Sequence, residues 1–185
     1  MMISPLVRLV TVGLFSIAML GCASLPENLK TANPDVVTDY QTWQSAPQSN
    51  YQLRLGGVIA AVTNLPQQTR IEVVNLPINA SGKPDINQEP NGRFVAYVEG
   101  FADPVTLSKG RLVTLLGAAD GSEKGKVGQF DYDFPVMQAT GYHLWRIEER
   151  VIVDEVGSYM YPCRSIHCRD IHYNTRQGRV IQEVR

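Results

Sequence analysis

The sequence predicts a mainly β chain: a small OB-like barrel of five to six strands, preceded by a short N-terminal helix. Three observations carry that expectation. From Tyr51 onward, apolar and polar residues alternate in short runs, and clusters of Gly, Pro, Asn and Asp separate one run from the next. Gly56, Gly57, Gly100 and Gly117 fall inside or beside those runs, where a strand must bend sharply or another backbone comes close. Five or six such strands suit a closed barrel, with an open sandwich as the alternative.

Ahead of the strands stands a different kind of segment. Arg8 is the single charged side chain before Glu27, and residues 9–20 (LVTVGLFSIAML) are apolar apart from Thr11 and Ser16. As a helix those twelve residues span about 18 Å, short of the roughly 30 Å hydrocarbon core of a bilayer. A positive start, a short apolar centre and the small Gly21 read as a secretory signal over residues 1–21. The stretch AMLGCAS resembles the lipobox of bacterial lipoproteins, with Met19 and Leu20 where Leu and a small residue are usual. That resemblance implies cleavage before Cys22, a diacylglycerol on its thiol and an acyl chain on the new amino group. Ala23 stands where Asp would retain a lipoprotein at the inner membrane, so the implied address is the outer membrane, periplasmic leaflet. One acyl chain holds a protein only marginally, whereas three exceed what stable anchoring requires. An ordinary cleaved signal, with Cys22 incidental, is the alternative.

Removing residues 1–21 from a chain of 185 leaves 164, enough for one domain with its own core. The expected organisation is a lipidated N-terminus, tether and short helix over 22–45, a β domain over 46–162 and an Arg-rich tail over 163–185. The full chain carries −1, and losing Arg8 brings it near −2, a balance that does not suit a nucleic-acid binder. With Cys22 alkylated, Cys163 and Cys168 remain as an even pair in an oxidising compartment, and a disulfide is the preferred reading. The segment CRSIHCRDIH also holds His167 and His172. Its spacing lacks the separated ligand pairs of structural zinc sites, and the adjacent His167 and Cys168 would point to opposite faces of an extended chain. Free thiols, an intermolecular link and a metal site stay open beside the bridge.

Taken in order, residues 23–33 read as a polar tether. In NPDVVTDYQTWQ, Asn33 can cap a helix, Pro34 suits its first position, and Val36, Tyr40 and Trp43 share one helical face. Residues 51–63 and 69–78 read as a hairpin about NLPQQ, and residues 79–92 as a long polar loop. RFVAYVEGF (93–101) alternates, with Phe94, Ala96 and Val98 on one face. RLVTLLGAAD (111–120) follows, then GSEKGKVG (121–128) as a turn and QFDYDFPVMQA (129–139) as a strand. Residues 142–156 fit a strand pair or a helix.

Little of this carries chemistry. GSEKGKVG is not a phosphate loop, because Asp120 replaces the first glycine and Val127 the magnesium-binding hydroxyl. No nucleophile elbow and no H-E-x-x-H motif accompanies His143, His167 and His172. Asp131 and Asp133 alternate with Phe130, Tyr132 and Phe134, which places both on one solvent-facing side of a strand and outside any ligand-dense calcium loop. Arg164, Arg169, Arg176 and Arg179 face a single Asp170 in the tail. Such a cluster suits anionic headgroups or phosphates, although a solvated arginine-bearing hairpin is the simpler reading.

LRLGGVIAAVTN (53–64), TRIEVVNLPINASGKP (69–84), GRFVAYVEGFADP (92–104), KGRLVTLLG (109–117), GKVGQFDYDFPVMQA (125–139) and HLW (143–145) occur in that order behind the lipobox. Together they resemble the Slp family of outer-membrane lipoproteins, the starvation-inducible lipoprotein group. The resemblance implies a protein tied to starvation or acid-stress survival, with no catalytic residues and no cofactor, whose one transferable position is Cys22. The expected function is thus a non-catalytic envelope lipoprotein that meets the membrane through its lipid and either binds another envelope component or strengthens the outer membrane under stress. A periplasmic module for a small ligand or anionic lipid is the alternative.

Overall fold

The computed structural model describes residues 24–46, 50–153 and 178–185. The signal segment, Cys22, Cys163, Cys168, Arg164, Arg169 and Arg176 lie outside the described residues, as do His167 and His172.

Five strands close into a barrel: β1 (Gln52–Asn64), β2 (Gln68–Leu76), β3 (Gly92–Glu99), β4 (Leu112–Val127) and β5 (Phe130–Trp145), in the spatial order β1-β2-β3-β5-β4. All neighbours are antiparallel except β3 and β5, which run parallel from Val95 opposite Val136 to Val98 opposite Ala139. The small OB-like barrel expected from the strand spacing is therefore present. The sixth strand does not join it: β6 (Ile147–Val153) pairs with β7 (Gly178–Val184) in a separate two-stranded ribbon.

Alternation decides what fills the barrel. On β1, β2 and β3 the inward positions Leu53, Leu55, Ile59, Ile71, Val73, Phe94 and Ala96 have no solvent exposure. Val113, Leu115 and Met137 from β4 and β5 complete the same core. The connection from β3 to β4 adds Ala102 and Leu107, and a short helix, α1 (Tyr40–Ser45), adds Tyr40 and Trp43. The rings of Tyr40 and Trp43 meet Phe94 at centroid distances of 6.5 and 5.9 Å. Two glycines permit the closure. A Cβ on Gly57 would collide with the Val74 carbonyl, and one on Gly117 with the Gln138 carbonyl, so no larger residue fits where these backbones meet. Gly100 meets nothing within 4 Å and instead ends β3 with φ of 76°.

Three expectations need correction. The helix has its cap six residues later than Asn33. Asp39 is its N-cap and accepts from the Thr42 backbone N–H at 2.7 Å, whereas Asn33 Oδ1 accepts from the Asp35 N–H in a local turn. The β-branched Val36, Val37 and Thr38 stay out of the helix, and Val37 forms a parallel bridge to Leu53. Second, GSEKGKVG is strand, not turn. The reversal is confined to Gly128 and Gln129, with Gly128 at φ 64° between the paired Val127 and Phe130. Third, residues 24–33 are not a free tether, because a 3₁₀ turn at Glu27–Leu29 packs on the outside of the barrel. The helix-or-strand ambiguity of residues 142–156 resolves to strand over 142–145 and 147–153, the end of β5 and β6, and residues 154–156 lie outside the described residues.

Candidate functional site

Two layers cover the outside of the barrel, and both are made of the chain itself. The first is an N-terminal strap. Leu29, fully buried, and the partly buried Leu25 pack with Leu76, Leu112, Leu116 and Trp145. Polar bonds fix the strap to two strands: Arg54 Nε donates to the Leu29 carbonyl at 3.0 Å, and the Asn28 amide donates to the Tyr142 carbonyl. Beneath it, Thr114 donates to the Gly82 carbonyl at 2.6 Å and accepts from the Trp145 indole N–H at 2.9 Å. Thr114 therefore ties the polar loop 79–92 to β4 and β5. That loop is pinned from within as well, because Asn79 Oδ1 accepts from the backbone N–H groups of Ser81 and Lys83. The sequence reading missed the strap because Leu25 and Leu29 sit among polar residues; their spacing by four, on one helical face, was the available signal.

The second layer is the distal half of the β4–β5 hairpin, which lies over the outer face of β2 and β3. Arg70, Glu72, Arg93 and Tyr97 point outward from those strands, in alternation with the buried Ile71, Val73, Phe94 and Ala96. Glu123 on β4 takes an ion pair from Arg70 at 2.7 Å and a hydrogen bond from the Tyr97 hydroxyl at 2.5 Å. Glu72 pairs with Arg93 at 2.6 Å, and the Tyr132 hydroxyl accepts from the Arg93 backbone N–H at 3.2 Å. Burial and the neighbouring Glu123 both raise the Tyr97 pKa, which keeps the phenol a proton donor to that carboxylate. Tyr40 is raised by burial and by Tyr132. Val95 points outward by alternation yet has no exposure, because Phe134 and Val136 of the same hairpin are buried alongside it. This network went unread because its members are distant in sequence.

In OB-like barrels, the outer face of the second and third strands, with the β1–β2 and β4–β5 connections, is the usual ligand surface. Here the protein's own hairpin occupies it. Among the described residues, a cleft of about 1000 Å³ opens at the β1–β2 turn, lined by Leu65–Gln68, Glu99, Gly100 and Gln138–Thr140.

Asp131 and Asp133 are exposed and stand opposite Lys126 and Lys124 in the hairpin register. His143 lies 4.3 Å from the Trp145 ring centroid, and burial lowers its pKa. Arg179 is exposed on β7, opposite Ile152. Among the described residues no three His, Cys, Asp or Glu side chains gather where they could hold a metal ion, and no helix is long and apolar enough to cross a membrane.

Barrel, strap and hairpin together define a compact all-β domain that covers its own outer faces and is docked to its own N-terminal segment. The sequence pattern of the outer membrane lipoprotein Slp family matches residues 19–177, and the chain belongs to that family. It is 36% identical over 143 residues to the uncharacterized lipoprotein YeaY of Escherichia coli K12, covering 76% of this chain and 74% of that one. It is 32% identical over 139 residues to the outer membrane protein Slp of the same organism, covering 74% and 73%. An uncharacterized protein of Haemophilus influenzae is 45% identical over 96 residues, about half of each chain. No solved structure matches the chain.

Proposed function

We propose that this lipoprotein of the Slp type is held to the periplasmic leaflet of the outer membrane by acyl chains on Cys22. It acts there as a non-catalytic support or docking element of the envelope under starvation or acid stress. The observation that carries the non-catalytic reading is the closure of the outer β2–β3 face by the β4–β5 hairpin, through Glu123, Tyr132 and Phe134. A face locked by ion pairs and buried aromatics contributes stiffness, and apolar side chains pack the barrel interior. Family membership supports the envelope address, and the short apolar run ending at Cys22 supports the anchor.

The expected result is palmitate incorporation into the wild type, none into Cys22→Ser, and release of Cys22→Ser from the outer-membrane fraction. A wild type that takes up no palmitate overturns the anchor. Unchanged starvation and acid survival in a clean deletion overturns the physiological half. The open cleft beside Leu65 and Gly100 favours a second reading, a small-ligand module of the periplasm. Native mass spectrometry of the purified protein separates the two, since a stoichiometric adduct favours binding and its absence favours the structural role.

A further inference from the structure

The β6–β7 ribbon differs from every other surface of the domain. Of nine large apolar side chains exposed among the described residues, five are on it: Ile147, Val151, Ile152, Val180 and Ile181. Register puts Ile147, Val151 and Val180 on one face, and Ile152 and Ile181 on the other. The first face is the apolar one: Val184 packs at its root, and Ile147, Val151 and Val180 stand exposed among the described residues beside Glu149 and Gln182, whereas Glu148, Arg150, Arg179 and Glu183 make the second face charged. Its charges, by contrast, are largely matched within the ribbon. Arg150 pairs with Glu183 at 3.6 Å, Arg185 with Glu148 at 3.2 Å, and the Gln182 amide donates to Glu149 at 2.8 Å. Among the described residues, what lacks a partner is the hydrocarbon of Ile147, Val151 and Val180.

The position of the ribbon's root says where that partner is. Val184 and Trp145 belong to the same apolar cluster as Leu25 and Leu29, so ribbon and strap share one patch of the barrel. Leu25 is three residues from Cys22. Fully extended, three residues reach only about 10 Å. If acyl chains hold Cys22 in a leaflet, the patch that roots the ribbon stands within about one headgroup layer of it, while the ribbon itself extends roughly 23 Å at the usual strand rise.

We propose that the β6–β7 ribbon is a second membrane contact, laying its apolar side chains into the headgroup–acyl boundary of the leaflet that holds the lipid; this rests on the anchored reading above. Both outer edges of a two-stranded ribbon carry unpaired backbone N–H and C=O groups, which the hydrocarbon core would leave unsatisfied. The ribbon therefore lies in the boundary, where water and headgroups complete those bonds, and does not span. A ribbon of two strands is marginal by itself, so the leaflet also supplies the burial that the ribbon lacks. The two contacts turn a lipid tether into a fixed orientation of the barrel.

The test uses the full processed chain with its lipid, reconstituted in phosphatidylethanolamine–phosphatidylglycerol vesicles with brominated acyl chains. Val151→Trp and Val180→Trp, side by side on the apolar face, report the ribbon, and Lys124→Trp reports the β4–β5 hairpin. The ribbon reporters are expected to lose about half their emission for a side chain seated roughly 5–10 Å into the boundary, with the loss unchanged at about 1 M salt. Lys124→Trp emission is expected to fall no further than that of the wild type, whose Trp43 and Trp145 are buried. Ribbon reporters quenched no more than Lys124→Trp overturn the proposal, whether a second copy seen as a dimer or residues 154–177 cover the ribbon instead. Quenching abolished by salt overturns the apolar contact in favour of a charge contact. Palmitate labelling keeps the two failures apart. A labelled wild type with unquenched ribbon reporters loses the ribbon contact alone, while an unlabelled wild type loses the anchor as well.

Discussion

Barrel and ribbon are both antiparallel β structure from one chain, yet they solve the burial problem in opposite ways. In the barrel, closure gives each strand two partners and the inward side chains one another, so that Leu55, Val73, Phe94 and Leu115 have no exposure. Each such side chain contributes about 1.5–3 kcal/mol by leaving water. In the ribbon, two strands have one partner each, and Val151 keeps 64% of its surface exposed. The difference teaches that β pairing alone buries little. Apolar alternation stabilises a sheet only when a second layer or a closed ring receives it.

Substitution should expose that contrast most sharply. Phe94→Ala removes a ring packed against Tyr40 and Trp43, and is expected to cost about 3–5 kcal/mol in urea unfolding of the processed chain. Val151→Ser, with the lipid-free chain in buffer, is expected to stay within about 0.5 kcal/mol of wild type. A Val151→Ser cost near that of Phe94→Ala would mean that the ribbon is already covered in solution and that the contrast is false.

A smaller effect sharpens the comparison on the barrel's own outside. Glu123 and Arg70 are about one-quarter and one-fifth exposed, between a solvated pair and a sealed one. Glu123→Ala removes the shared acceptor of Arg70 and Tyr97 and is expected to cost about 1–2 kcal/mol, above the 0–1 of exposed pairs and below the 3–5 of buried ones. Amide exchange along β3 should accelerate with it, because the hairpin that covers Val95 loses its main ionic hold. Unchanged exchange would show that Phe134 and Val136 hold the hairpin without the ion pair.

These two regions also mark how far the sequence could be read. The strands, the first hairpin at Leu65–Gln67 and the burial of Tyr40, Trp43 and Phe94 were legible, because period-two alternation and turn residues are local signals. The helix start was misplaced, since Asn33-Pro34 imitates a cap and a first turn as well as Asp39 does. The reversal at Gly128 was smeared over eight residues, because glycines and lysines on the long hairpin look like loop. Gly125 is in fact a strand position against Phe134, where a Cβ would stand 2.8 Å from the ring. The outer covering was not legible at all. It is made by Leu25 and Leu29 meeting Trp145, and by Arg70 meeting Glu123, pairs that only closure of the barrel brings together.

The smallest expected effect asks on which side of the comparison pH acts. The ribbon strands contain no histidine, whereas His143 stands opposite Thr114 in the barrel wall and against the ring of Trp145. Burial lowers its pKa from the usual 6.5. An unfolded chain takes up its proton near that ordinary value and the folded chain only at lower pH, so between the two the unfolded state binds more protons. This contribution to stability is therefore complete above about pH 6.5 and is lost as pH falls through the folded value. His143→Gln removes the titration while keeping a polar side chain beside Trp145. Urea midpoints at about pH 7.5 and about pH 5.5 should then move less for His143→Gln than for wild type. Equal losses would clear His143 of the change over this range; Asp39, whose hydrogen bonds from Thr42 hold its pKa below the usual 3.8, contributes to acid sensitivity only at still lower pH.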